Sequence, residues 1–269
     1  AGSHLIKIPV KLNDTHSTYF IFDTGIGVNL ISKSLCEKIK CETKTKTYKG
    51  KRMSGQELEI PLANIDSLTF AGIRQEKVEI SPWDMEHGFL EDIPSLKNVE
   101  GFLSLGFFRN IPFTMDYKTG TFTIEDEAGL ERRKKAGHVI PIIVEDDGTS
   151  VVIFMMLQIP GGDPIKVEID LGGNILTLNE KYMKRMGTSA TAKDVVIHKA
   201  KDETNHPFIR YFVKVPGPIS PVPAPELAQR DLKVMFQKII HDGLIANDFM
   251  KRFTVTYDLE NSRLILTSN

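Results

Sequence analysis

Apolar and polar residues alternate along this chain, or cluster in short apolar runs, at strand length far more often than at helix length. HLIKIPVKL, YFIFD, ELEIPLANI, SLTFAGI, KVEIS, PFTMDYKTGTFTIE, VVIFMMLQI, KVEID and RFTVTYDLENSRLILT all read as strands separated by turn residues. MDYKTGTFTI and YDLENSRLIL each read as strand, turn, strand. Helices are few and short. SKSLCEKIK and NEKYMKRMG are candidates, and APELAQRDLKVMFQKIIHDG is the best, with Pro225 near its start and Gly243 past its end. The proline-rich VPGPISPVPAP, Val215 to Pro225, excludes a central strand and predicts an exposed spacer or the rim of a cleft. The fold class is all-β.

The pattern repeats. IFDTGIGVNLIS superposes without a gap on EIDLGGNILTLN, so that Asp23 falls on Asp170, Gly25 on Gly172 and Ser32 on Asn179. GFLSLGFFRNIPFTMDYKTGTFTI superposes on GLIANDFMKRFTVTYDLENSRLIL, so that Gly101 falls on Gly243, Thr114 on Thr256 and Asp116 on Asp258. The offsets are 147 and 142 residues, so the order and spacing of both pieces are kept. Two similar lobes follow, residues 1–128 and 138–269, with the polar stretch Glu125 to Gly137 as their seam. An acid at the end of an apolar strand is costly unless it is paired or used. A second acid at the matching position of an internal repeat offers a partner. Asp116 and Asp258 also repeat, but each precedes a turn, and turn capping accounts for them.

FDTGIG after an apolar strand, then NLIS, then GFLSLGFF, resembles the aspartic peptidases of the pepsin and retropepsin clan. GLIANDFMKRFTVTYDLENSRLIL resembles the C-terminal part of its two-lobed, bacterial-type retropepsin-like members. The resemblance implies a pepsin-like acid-protease fold: two similar, closed, barrel-like β lobes with short helices, related by a pseudo-two-fold axis. It implies an aspartic endopeptidase that hydrolyses peptide bonds with a water activated between Asp23 and Asp170, which share one proton. Thr24, Gly25, Leu171 and Gly172 support that pair. Thr24 matches the family's bracing hydroxyl. Leu171 does not, which leaves open a non-catalytic peptide-binding or scaffold protein. Ile26 and Gly173 stand where pepsin-like members often carry Ser or Thr, so fewer donors reach the anion and a pH optimum nearer neutrality is expected. A β-hairpin flap is expected over YKGKRMSGQELEI, with Tyr48, Gly50, Ser54 and Gly55 as its marked positions. The implied partner is an extended polypeptide substrate, with no cofactor, no metal, and no second copy needed for the chemistry.

Composition changes little. The 269 residues carry a net charge of −1, with 41% hydrophobic and 26% charged residues, which gives no reason to expect nucleic acid as a ligand. The longest apolar run is far short of the roughly 20 residues that span a bilayer, so no membrane segment is expected. The opening AGSH reads as a cloning remnant and is uninformative about a leader. The compartment leans only weakly to the extracytoplasmic side. Cys36 and Cys41 are too few for a disulfide framework and, five apart on a helix, face different ways, so two unpaired thiols are expected. GIGVNL lacks the third glycine of a dinucleotide fingerprint, and Ser104 in GFLSLGF has the wrong spacing for a serine elbow. The seven histidines, His4, His16, His87, His138, His198, His206 and His241, show no metal-ligand spacing, and His198 and His206 read as a solvated loop.

Overall fold

The computed structural model describes residues 4–84, 93–201 and 205–269, so residues 1–3 and His87 lie outside it. The chain divides into two compact units. The first comprises Ala1–Arg52, Gln56–Arg109 and Glu145–Val152; the second comprises Met53–Gly55, Asn110–Val144 and Ile153–Asn269.

The first unit contains β1 (Ile6–Leu12), β2 (His16–Phe22), β3 (Leu30–Ser32), helix α1 (Lys33–Lys38), β4 (Glu42–Lys51), β5 (Glu57–Phe70), β6 (Ile73–Trp83) and β7 (Val99–Leu103). The strand order is β1-β2-β7-β3-β6-β5-β4. β1 also pairs with β5 through Lys11↔Thr69 and Leu12↔Leu68, which closes six strands into a barrel with β4 outside. ELEIPLANI and SLTFAGI form one strand rather than two, because the alternation runs on through exposed Asp66 without a turn. Phe108 fills the interior, packed edge-on against Phe22, Phe70 and Phe107 with ring centroids 4.9–6.1 Å apart.

The expectation of free thiols is overturned in this unit. Ser32 caps α1, its Oγ accepting from Leu35 N at 3.2 Å. The helix lasts only six residues. Lys40 then takes a left-handed φ of +57°, and Cys41 N donates to Cys36 O at 2.9 Å. The chain thus folds back over the helix end, the Cα atoms of Cys36 and Cys41 come within 5.2 Å, and the two form a disulfide. Helical spacing does not apply to a residue beyond the helix.

The remaining elements are β8 (Phe113–Asp116), β9 (Thr121–Ile124), α2 (Glu127–Ala136), β10 (His138–Asp146), β11 (Val151–Gln158), β12 (Ile165–Ile169), β13 (Thr177–Asn179), β14 (Val196–Lys201), β15 (Pro207–Val215), β16 (Ser220–Pro221), β17 (Leu232–Gln237), β18 (Gly243–Ile245), α3 (Asn247–Met250), β19 (Phe253–Asp258) and β20 (Arg263–Ser268). Their order is β14-β15-β17-β13-β18-β12-β11-β10-β20-β19-β8-β9. The run β12-β18-β13-β17-β15-β14 repeats β2-β7-β3-β6-β5-β4 pair for pair. In both runs the directions are parallel, antiparallel, parallel, antiparallel, antiparallel. Where β5 meets β1 in the first unit, the short strand β16 pairs with β11 in the second.

Further expectations change here, and the polar seam gains a secondary structure. The strongest predicted helix is a 3₁₀ turn at Pro225–Leu227 followed by β17, whose side chains alternate buried and exposed at its start and which hydrogen-bonds to β15 and β13. Positive φ at Asp231 ends any helical continuation. The proline-rich stretch is not an exposed spacer, since Ile219, Ser220 and Pro221 are buried and β16 lies against β11. The polar seam is helical from Glu127 to Ala136 despite its lack of an apolar stripe. Asp126 caps α2 by accepting from Gly129 N, and its acid-first, base-last charges match the helix dipole. In NEKYMKRMG only Glu180–Tyr182 is helical, as a 3₁₀ turn.

β8 and β19 pair antiparallel with Thr114 opposite Thr256, Met115 opposite Val255 and Phe113 opposite Tyr257. Thr114 and Thr256 are also the residues that the sequence repeat superposes, so a local two-fold axis passes between them. Their hydroxyls hydrogen-bond at 2.7 Å. Thr114 also donates to Glu125 Oε1 at 2.6 Å, and Arg133 Nε donates to the same oxygen at 2.8 Å. This buried polar chain is paired throughout, which is the condition for tolerating it.

Candidate active site

β2 and β12 each end in a buried residue, Phe22 or Ile169, immediately before an aspartate. In the first unit, Asp23 N donates to Leu103 O at 3.0 Å and so continues the parallel pairing of β2 with β7 by one residue. Gly25 N then donates to Asp23 Oδ1 at 2.9 Å. In the second unit, Asp170 N donates to Ile245 O at 2.8 Å, and Gly172 N donates to Asp170 Oδ1 at 2.9 Å. Both aspartates are half-buried. The two turns are built alike, each aspartate anchored through its backbone to the neighbouring parallel strand and through its carboxylate to the amide two residues on.

The supporting residues diverge. Thr24 and Leu171 are both fully buried, one with a hydroxyl and one without. In the first unit Asn29 stitches the turn to its surroundings. Its Nδ2 donates to Glu79 O at 3.1 Å, while its Oδ1 accepts from Ser104 N at 2.9 Å and from Ser104 Oγ at 3.1 Å. In the second unit Asn247 grips the turn itself. Its Nδ2 donates to Leu171 O and, at 3.0 Å, to Gly173 O. Sequence reasoning missed both asparagines for one reason: the repeat places Leu176 opposite Asn29 and Leu105 opposite Asn247, so neither has a counterpart to mark it.

Two superposed glycines explain how the strands around each turn approach so closely. A Cβ on Gly101 would lie 2.4 Å from Leu30 O, and one on Gly243 would lie 2.8 Å from Thr177 O. Only glycine lets β7 lie against β3, and β18 against β13, at that distance.

The expected flap sequence is a hairpin. β4 and β5 pair with Tyr48 opposite Ile60 and Gly50 opposite Leu58, and Arg52 N closes the turn on Gln56 O at 2.9 Å. Ser54 lies in that turn, and Gly55 takes φ +87°. The Tyr48 hydroxyl lies 3.5 Å from where a Cβ of Gly27 would stand, so the hairpin arm reaches the Asp23 turn within the first unit.

The rival sites resolve into structural roles. Ser104 caps a 3₁₀ turn and bonds Asn29. Asp116 Oδ1 accepts from Lys118 N and Thr119 N, and these bonds, the Thr119 amide first, hold its carboxyl below the usual range. Asp258 accepts from Asn261 and Arg263 across its turn. His198 stands on β14 and not in a loop. Among the described residues no three His, Cys, Asp or Glu side chains converge as metal ligands. Among them, too, no helix is long and apolar enough to cross a membrane.

Residues 8–91 match the family model described as aspartyl protease, a stretch that contains the Asp23 turn and the β4–β5 hairpin. The chain is similar over that stretch to the aspartyl proteases. Its fold is pepsin-like and all-β: the crystal structure of basic 7S globulin from soybean superposes with a TM-score of 0.54 at 11% identity, covering 98% of this chain and 95% of that one. At that identity the likeness concerns the fold alone. No curated protein matches the sequence.

Proposed function

We propose that this protein is an aspartic endopeptidase acting on extended polypeptide, with Asp23 and Asp170 as its catalytic carboxylates. Two carboxylates about 3 Å apart cannot both ionise, so the pair shares one proton. The ionised member takes a proton from the attacking water, and the protonated member donates to the scissile carbonyl oxygen. The observation that carries this reading is the twice-built turn, with the same glycine-to-carboxylate bond of 2.9 Å at both aspartates. In this reading residues 1–128 and 138–269 are the two lobes, so one chain suffices, and no cofactor takes part. Thr24 braces the pair. The hairpin bearing Tyr48, Gly50, Ser54 and Gly55 covers the substrate, which lies extended like an added strand. The Cys36–Cys41 disulfide is compatible with an oxidising, extracytoplasmic setting.

A second reading, a peptide-binding protein without turnover, is favoured by Leu171, which is buried and has no hydroxyl to brace the pair. Incubation of a mixed peptide library with wild type, Asp23→Asn and Asp170→Asn, across about pH 2 to 8, separates the two. Endopeptidase activity predicts cleavage by wild type and none by either variant. No turnover by wild type at any pH leaves the binding reading. Full cleavage by either variant refutes the shared-proton pair.

A further inference from the structure

Each unit presents one outer strand at the same topological position: β4 in the first and its counterpart β14 in the second. A strand edge carries a row of backbone N–H and C=O groups that can template another strand. The two edges are managed differently. On β4, Lys44 pairs with Glu79 at 2.6 Å, Lys51 with Glu57 at 3.4 Å and Lys49 with Glu59 at 3.9 Å, so three of its four lysines are matched from within the unit. On β14, Val196-Ile197-His198-Lys199-Ala200-Lys201, the lysines have no such match. The residues facing them on β15 are Ile209 and Pro207, and Lys199 and Lys201 form no ion pair among the described residues. Val196 at 66% and Ile197 at 49% are the most exposed of the large apolar side chains in the described residues. The outer edge of β14 pairs with no strand among them.

Alternation fixes what could pair there. Ile197, Lys199 and Lys201 share one face, and Val196, His198 and Ala200 the other. A second copy of this edge would set cation against cation, which is unfavourable. A strand with carboxylates at alternate positions on the lysine face and aliphatic side chains on the other meets both charge and hydrophobicity. We propose that the edge of β14 binds an extended acidic polypeptide segment, which joins the sheet as a further strand beyond β14. Backbone hydrogen bonds supply affinity, and Lys199 and Lys201 select the acidic sequence.

The probe is a capped peptide of about eight residues alternating glutamate and valine, titrated into the full chain while the backbone amide resonances are followed. Saturable binding is expected, with the shifts concentrated on Val196–Lys201. The double variant Lys199→Glu, Lys201→Glu weakens it by at least about tenfold and instead accepts the lysine–valine peptide. The glutamate–valine peptide methylated on its backbone nitrogens keeps the charge but cannot form the ladder, and is expected not to bind. Equal binding of the methylated peptide, equal affinity of the double variant, shifts confined to other strands, or no saturable binding would each overturn the proposal. The methylated-peptide comparison uses wild type alone and stands even if the double variant folds poorly.

Discussion

Asn247 is where the second aspartate turn is most open to test. Its side chain is 4% exposed, its Nδ2 donates to the carbonyls of Leu171 and Gly173, and its Oδ1 is buried with no hydrogen-bond partner. Asn247→Ala removes two donated bonds, each worth about 1 kcal/mol net, and also removes an orphan oxygen whose burial costs about 1–3 kcal/mol. These effects nearly cancel, so its stability should fall by no more than about 1–2 kcal/mol once lost packing is added. Asn247→Asp keeps the shape but puts a carboxylate oxygen against two carbonyl oxygens in a site closed to water, which costs at least about 3 kcal/mol. At roughly 2–4 °C per kcal/mol for a chain of this size, Asn247→Asp should melt about 6–12 °C below wild type at neutral pH, and Asn247→Ala only a few degrees below. The sign with pH follows from the introduced group. Burial raises its folded pKa, so its destabilisation is greatest above that value and shrinks as acid protonates it into a donor. Scanning calorimetry of the three proteins between about pH 4 and 7 reads both effects. If the variants melt together at neutral pH, or if the deficit of Asn247→Asp does not narrow in acid, the Nδ2 grip on the turn is not what holds it.

Gly101→Ala and Gly243→Ala should each lose about 2–3 kcal/mol, read as a lower thermal midpoint, because the new Cβ meets the Leu30 or Thr177 carbonyl at 2.4 or 2.8 Å and backbone must move. Leu171→Thr, which restores a hydroxyl after the second aspartate, should lower the midpoint by the equivalent of about 2–3 kcal/mol, since it empties part of a fully buried site; a stable variant with higher kcat would reveal a latent brace. Arg109 donates to both carboxylate oxygens of Asp146, at 2.5 and 3.1 Å, and that hydrogen bonding is the main cause holding the acid below its ordinary range. The depressed pKa means the pair stabilises above the unfolded value of about 3.9 and loses this as pH falls further. Arg109→Gln should therefore cost about 0.5–1 kcal/mol near neutrality and nothing near pH 2, and a constant deficit across that range would contradict the pairing. If the enzyme reading holds, the pH–rate profile should peak nearer neutrality than pepsin's, because Ile26 and Gly173 donate no side-chain bond to the aspartates; a peak near pH 2–3 would sink that argument.

The repeat was legible because two turns built alike need the same residue types in the same order. Asp23-Thr24-Gly25 and Asp170-Leu171-Gly172 could be aligned before any strand was placed, and the hairpin around Gly50 and Gly55 carried its own turn signals. The parts that escaped depend on distant neighbours. Leu232–Gln237 sits within a stretch bounded like a helix, yet β15 and β13 both offer it hydrogen bonds, and two ladders outweigh weak local preference. Pro221 is buried because its short strand needs only the ladder positions that β11 supplies. Cys41 meets Cys36 because Lys40 reverses the chain, a single backbone angle that no spacing rule encodes. Asn29 and Asn247 do related work from unrelated positions, one six residues beyond Asp23 and the other 77 residues beyond Asp170. By itself the sequence marked the two aspartate turns to which the proposed chemistry is assigned, because charge and turn geometry are local. Tertiary structure alone decided what holds those residues, because a buried carbonyl accepts from whichever donor the fold brings within 3 Å.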